Sequence, residues 1–397
     1  NEKHRFNVFA SAQHINRDSY YGPGDRDPLD AYGNTTDLNW MAGSQYVYSF
    51  GKCIFMPSDL TAGIEFNQDK LEDNMWGYHR TVDQKVNIGS AFLQNEWKNE
   101  HWGFLIGGRL DKHNLINHVI FSPRANLRYN PTENINLRFS YSSGFRAPQA
   151  FDEDLHVENV GGNVAMVELA DNLKEERSQS LSASADIYHR FGAFQVNFLV
   201  EGFYTKLSDV FALTDGEVVD GILTRTRYNA PGARVMGLTL EGKMAYLTKF
   251  QVQAGVTLQQ SHYSEPHVWN KEAPAVKKMM RTPNTYGYFT ATYTPIKPLS
   301  IALSGTYTGS MLVPHEPVPG FLEKPITVNT KDFFDIGLKA AYDFKLYKSM
   351  NLQVNAGVQN IFNAYQNDFD KGADRDSGYI YGPSLPRSFF AGVKISY

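Results

Sequence analysis

From Leu181 to Tyr188 the chain alternates: Leu181, Ala183, Ala185 and Ile187 share one face of an extended strand, and Ser182, Ser184, Asp186 and Tyr188 the other. The same period of two recurs in Phe194–Glu201, Gln251–Leu258 and Leu352–Gln359. It returns in the closing stretch, where Phe389, Ala391, Val393, Ile395 and Tyr397 line one face. The second face is rich in Gln, Asn, Ser and Thr, which suits a wall that touches water on one side. No helical period of 3.6 competes, so the chain reads as nearly all β. About sixteen strands are predicted, at 3–17, 35–50, 58–69, 83–98, 100–112, 119–130, 134–144, 174–191, 193–212, 223–247, 249–263, 282–295, 298–310, 330–345, 350–362 and 386–397. Several exceed ten residues, well beyond the globular mode of about five to six.

The connections sort by length. With 223–247 taken as one strand, short links such as 98–100, 191–193 and 247–249 alternate with long ones at 18–34, 70–82, 113–118, 145–173, 213–222, 264–281, 311–329 and 363–385. All long loops then fall on one side of an up-and-down sheet. Short turns opposite long loops suit an outer-membrane barrel, and a Greek-key sandwich has no reason to sort them so. Pro231-Gly232 predicts a bulge or bend inside the long strand. The expected fold is an all-β, antiparallel, up-and-down transmembrane β-barrel.

Composition adds limits. The 397 residues carry a net charge of -4, which argues against nucleic acid as a partner. No run of eighteen apolar residues exists, so no membrane-spanning helix is expected, which leaves a barrel open. Tyr (23) and Phe (26) are abundant enough for aromatic girdles at two membrane interfaces. Cys53 is the sole cysteine, so no intrachain disulfide can form. Neither a Gly-x-Ser-x-Gly elbow nor a His-Glu-x-x-His pair is present, which argues against an enzyme. A passive sixteen-stranded porin stays open as an alternative.

Phe145-Arg146-Ala147-Pro148 ends an outward strand and resembles a motif of the TonB-dependent receptor barrels. Asp171-Asn172-Leu173-Lys174-Glu175-Glu176 resembles that family's Asn-Pro-x-Leu-x-x-Glu box, with Asp-Asn standing in for Asn-Pro. Val358 to Asn363, with Asn360 and Phe362, resembles its penultimate-strand motif, and Pro386 to Tyr397 its closing strand. The resemblance implies a barrel of twenty-two strands with an N-terminal plug. Residues 1–397 would then be the barrel portion, about sixteen strands, with the plug and first strands outside the chain. It also implies an outer-membrane location, energised uptake of a scarce large nutrient, and contact with the TonB complex through the plug. Lipid, lipopolysaccharide and a surface lipoprotein are further expected partners. Cobalamin or a ferric siderophore is the expected cargo. Haem, glycans and peptides are alternatives.

Outer-loop aromatics are the candidate cargo contacts: Tyr20, Tyr32, Trp76, Tyr78, Trp269, Phe321, Tyr379 and Tyr381. His156 joins them because haem receptors of the family carry a His between the two boxes. Asp152-Glu153-Asp154-Leu155-His156 resembles cobalamin or siderophore receptors of Bacteroidetes-type bacteria. No cofactor is required, but Asp368, Asp370, Asp374 and Asp376 supply oxygen ligands of the kind Ca²⁺ takes, without the EF-hand spacing. Arg138, Glu175, Arg177, Glu201, Glu241 and Lys243 are assigned to the lumen, either holding the plug or pairing with one another.

Overall fold

A computed structural model describes residues 3–21, 31–160, 163–214, 216–219, 222–347, 349–383 and 385–397. Sixteen long strands follow one another in an antiparallel wall: β1 His4–Tyr20, β2 Tyr32–Cys53, β3 Met56–Met75, β4 Arg80–Lys98, β5 Trp102–His113, β6 Ile120–Thr132, β7 Ile135–Arg146 and β8 Glu176–Phe191. The second half continues with β9 Phe194–Leu213, β10 Ile222–Tyr246, β11 Phe250–His267, β12 Thr285–Ile296, β13 Leu299–Thr308, β14 Phe333–Tyr347, β15 Met350–Gln359 and β16 Ser388–Ser396. Each is paired with its sequence neighbours. The sixteen expected strands therefore map one to one, including the single 25-residue strand β10.

Register fixes the two faces. On β10, Met236, Leu238, Leu240, Gly242, Met244 and Tyr246 share a face with Phe198, Val200 and Tyr204 of β9 and with Val256 and Leu258 of β11. Ten steps of about 3.4 Å, tilted by about 40°, span roughly 26 Å along the membrane normal, which matches the apolar band of a barrel. The opposite face carries Thr239, Glu241 and Lys243, and Tyr288 donates to Glu241 there. At the short-turn end an aromatic girdle stacks Trp102 on Tyr129 at 4.2 Å and Phe55 on Trp97 at 5.6 Å.

The structure corrects two expectations, the extent of two loops and the face of Arg177. Segment 70–82 is no loop: β3 and β4 run on to Met75 and from Arg80, and a 3-10 turn over Trp76–Tyr78 joins them. A crossing needs only about ten residues, so these strands of about twenty rise far above the membrane. In the same way the 18–34 connection shrinks to 21–31, of which 22–30 lie outside the described residues. The wall is antiparallel as expected; within the 145–173 connection Asn163–Leu169 adds in parallel to Ile222–Arg227 of β10. Lastly, Arg177 shares its face with Leu181, away from the lumen, and binds Glu175 at 2.8 Å.

Pro231 does mark a break. It has no N–H to donate, and Asp209 across from it adopts a left-handed φ of 55°. The register resumes on both sides without an added residue, so the feature is a local interruption rather than a bulge. Asn229 fills the gap by donating to the Asp209 carbonyl at 2.8 Å.

Candidate functional site

Two covers fold over the mouth of the wall on the long-loop side. The first is the connection between β7 and β8. Its segment Asn163–Leu169 adds to β10, while Val164 and Met166 pack with Met75 and Tyr78 at the β3–β4 tip. Those anchor points lie six strands apart, so the face they share must be concave and the connection must cross it. A short helical turn, Asp152–Leu155, sits on the way. Asp154 binds the Arg227 guanidinium from β10 and accepts the Phe151 N–H at 2.8 Å. From the opposite side Arg80 of β4 donates to the Asp154 carbonyl at 2.5 Å and the Leu155 carbonyl at 3.3 Å. Gln84 exchanges two hydrogen bonds with the Ala150 backbone, as a neighbouring strand would.

The second cover joins the hairpin Leu312–His315 and Ile326–Asn329 to the 360–387 connection. His315 stacks flat on Tyr379, with centroids 3.7 Å apart, and its Nε2 lies 2.9 Å from Asp370. Asp376 accepts the Glu316 N–H at 2.9 Å and the Gly378 N–H at 2.8 Å. Tyr381 donates to Asp368 at 2.6 Å. Burial, helped by the Asp368 carboxylate, pushes the Tyr379 phenol up to about 12. Glu316 meets Arg225 at 2.5 Å and Asn270 at 2.9 Å, yet burial holds its pKa above the ordinary glutamate value.

Between the covers lies a half-open cavity of about 320 Å³ lined by Arg146, Arg225, Arg227, Phe211, Tyr263, Trp269 and Glu316, among others. Of its three guanidinium groups, Arg225 is paired with Glu316 and Arg227 with Asp154. The Arg146 guanidinium sits 3.9 Å from the Phe151 ring centroid and 5.5 Å from that of Phe211. Such a lining favours a ligand that is both anionic and aromatic. A larger cavity of about 1160 Å³ beside β4 has a mixed lining of Arg80, Lys85, Asp83, Glu168 and Asp171, which expresses no preference of charge.

Among the residues singled out in the sequence, Trp269 lines the smaller cavity and is 8% exposed. Arg146 of the Phe145-Arg146-Ala147-Pro148 motif lines it too, and the others lie elsewhere. Tyr78 is buried and donates to the Tyr21 carbonyl at 2.5 Å, so it packs the first cover. Tyr379 and Tyr381 pack the second. Tyr20 and Tyr32 meet edge-on at 5.0 Å across the β1–β2 pair. Trp76 and Phe321 stand exposed at hairpin tips, Phe321 at 76%. His156 is exposed, its ring 6.4 Å from that of Tyr21. The motif residues shape the wall: Glu176 accepts the Phe211 N–H at 2.9 Å, and Asn360 holds the Ala364 and Leu385 carbonyls, each at 3.0 Å. Phe145 and Ala147 pack on Ile116 and Ile120, and Pro148 is buried beside them in sequence. Phe362 and Tyr397 are exposed at the wall surface.

The expected Ca²⁺ site does not assemble. Asp368, Asp370 and Asp376 each accept from protein donors, Asp374 is exposed, and among the described residues no three acidic, His or Cys side chains converge on a metal position. Arg225 and Arg227 were not singled out in the sequence, although their spacing of two, at the end of a long strand, placed both on one face.

Fold and site together define an outer-membrane receptor barrel with a covered mouth. The chain belongs to the TonB-dependent receptor-like β-barrel family, whose model matches residues 2–361. No protein of curated function matches it in sequence. Among solved structures it is similar to a variant of the ferric enterobactin receptor PfeA of Pseudomonas aeruginosa, with TM-score 0.71 and 18% identity over 99% of this chain and 59% of that one. It is also similar to the siderophore receptor PirA of Acinetobacter baumannii (TM-score 0.68, 15% identity, 98% and 59% covered). A third is the ferric-catecholate import receptor Fiu of E. coli K12 (TM-score 0.66, 14% identity, 99% and 62% covered). At these identities the likeness establishes the fold alone, and this chain spans about three fifths of each receptor's length.

Proposed function

We propose that the chain is the wall and outer vestibule of a receptor that imports an anionic ferric siderophore in a TonB-dependent manner. A plug and further strands would lie outside the 397 residues. The observation that carries the reading is the cavity between the covers, where Arg146, Arg225 and Arg227 stand among Phe211, Tyr263 and Trp269. A ferric tris-catecholate offers the matching chemistry: negative charge for the guanidiniums and aromatic rings for stacking. Three structural relatives are receptors named for ferric enterobactin, a siderophore and a ferric catecholate.

In this reading the two covers narrow the mouth, the arginines draw the chelate in, and TonB acting on the plug opens the path below. The test is calorimetry on the full-length receptor with a ferric catecholate, an uncharged ferric hydroxamate and cobalamin. Arg225→Ala is expected to weaken catecholate binding by about tenfold or more, the value of one charge-assisted contact. Equal affinity for the uncharged chelate, or an unchanged affinity in Arg225→Ala, overturns the proposal.

A further inference from the structure

The rim of the wall dips beside β4, and two strand edges border the dip. β4 starts at Arg80, but β5 reaches up only to His113, opposite Ile88. Asn87 turns its backbone toward β5: its N–H donates to the Asn114 side chain at 2.9 Å, and its carbonyl accepts the Asn114 N–H at 3.0 Å. Along a strand every second residue turns these groups to the same side. Lys85, Asp83 and Thr81 therefore face the same way, above the end of β5.

The second edge is that of Asn163–Leu169. Ala170 donates to the Arg227 carbonyl at 3.0 Å, so the even-numbered residues bond β10, and Val167 and Leu169 turn their N–H and C=O groups away from it. On that side Glu158–Val160 pairs antiparallel with residues 163–165 and so holds the place of a neighbouring strand. Past it lies the cavity of about 1160 Å³, lined by Thr81, Asp83 and Lys85 of one edge and Val167 and Leu169 of the other. Among the described residues the backbone N–H and C=O groups of Thr81, Asp83, Val167 and Leu169 have no hydrogen-bond partner. Lys85 keeps its N–H free, while its carbonyl takes the Asn114 side chain at 2.7 Å.

Unpaired strand edges are templates for another extended backbone. Both edges run from the long-loop side toward the membrane, because Asn163–Leu169 is parallel to β10 and β4 descends from Arg80. One segment running outward is therefore antiparallel to both, as Glu158–Val160 is to its neighbour. Ala150 and Asp154 close the inner side, tied to β4 by Gln84 and Arg80. Asp83 and Lys85 are exposed and share one face, which disfavours an apolar strand and suits opposite charges across from them. This cavity shares no lining residue with the one between the covers.

We propose that the cavity is a docking slot in which a polar, extended segment of a soluble extracellular polypeptide adds as a strand to β4 and to Asn163–Leu169, with an acidic side chain across from Lys85 and a basic one across from Asp83. The inference rests on the fold and not on the siderophore reading. It is tested on the full-length receptor with a fluorescent Thr-Glu-Val-Lys-Thr peptide, read by anisotropy and by hydrogen exchange. Bound peptide should slow exchange at both Asp83 and Val167 about tenfold. Methylating the peptide's Glu and Lys amide nitrogens, which face β4, should weaken binding about twentyfold, at about fivefold per hydrogen bond. Asp83→Pro removes an N–H that bonds nothing in the folded chain and should cost about fivefold, whereas Asp83→Ala, which keeps the edge, should cost about twofold. The methylated peptide needs no variant, so the outcome stands even if Asp83→Pro disturbs β4. Equal binding of the methylated peptide overturns the proposal. So does unaltered exchange at Asp83 and Val167 under saturating peptide, or no binding at millimolar peptide.

Discussion

The two covers solve the same problem by opposite means. Both hold irregular chain over a wet lumen, where loop carbonyls and N–H groups need partners. The 147–175 cover converges cations on one acid: Arg227 on the Asp154 carboxylate and Arg80 on the adjoining carbonyls, at a site almost wholly removed from water. The 312–329 and 360–387 cover distributes acids: Asp368, Asp370 and Asp376 each take a separate phenol, imidazole or backbone N–H. A single convergent centre fails as a unit, whereas dispersed acceptors fail one at a time. The comparison also explains why an aspartate-rich loop need not be a metal loop. Its carboxylates are spent on folding the chain around them.

The largest effect should come from the convergent centre. Asp154→Ala takes the carboxylate away from the buried Arg227 guanidinium, which costs about 3–5 kcal/mol. Hydrogen exchange over 163–169 should rise to that of an open loop while the wall strands stay protected. Protection unchanged in 163–169 would mean that the cover is held by Tyr78, Met75, Val164 and Met166 alone. Next, Tyr78→Ala should cost about 3–4 kcal/mol of the same local stability through lost packing, measured in the same way.

Glu316 bridges the covers through Arg225, and its pH dependence sharpens the contrast. Burial raises its folded pKa above the ordinary 4.5. Its contribution is therefore fully present below about 4.5 and is lost as pH rises through the folded value. Exchange protection of the Trp269 segment should decline over that window in the wild type. In Glu316→Gln the decline should be flat. Asp368→Asn, at a dispersed acceptor, should cost only about 1 kcal/mol. The smallest expected effect is that of added Ca²⁺: millimolar amounts should leave the thermal midpoint unmoved, and an upward shift would show ion binding to the folded state.

Strand number, side and closing motif were legible because each depends on a local period or a turn that a few consecutive residues specify. Leu181 to Ile187 declares its two faces without reference to any other strand. Strand ends above the membrane were less legible. At 70–75 charged and polar residues occupy both faces, and the alternation that marks a strand fades once lipid no longer touches it. The candidate cavity was the least legible part. Arg146, Arg225, Trp269 and Glu316 come from four separate connections or strand ends, and nothing in the spacing between them says that they meet.

The sequence by itself therefore determined an alternating wall, its sidedness and its family, since those are properties of nearest neighbours along the chain. Tertiary structure alone decided that Asp154 meets Arg227, that Tyr379 stacks on His315, and that the edges of β4 and Asn163–Leu169 border one cavity. Each of those contacts is set by register or by a chain crossing, and a shift of one residue in pairing would turn every side chain to the other face.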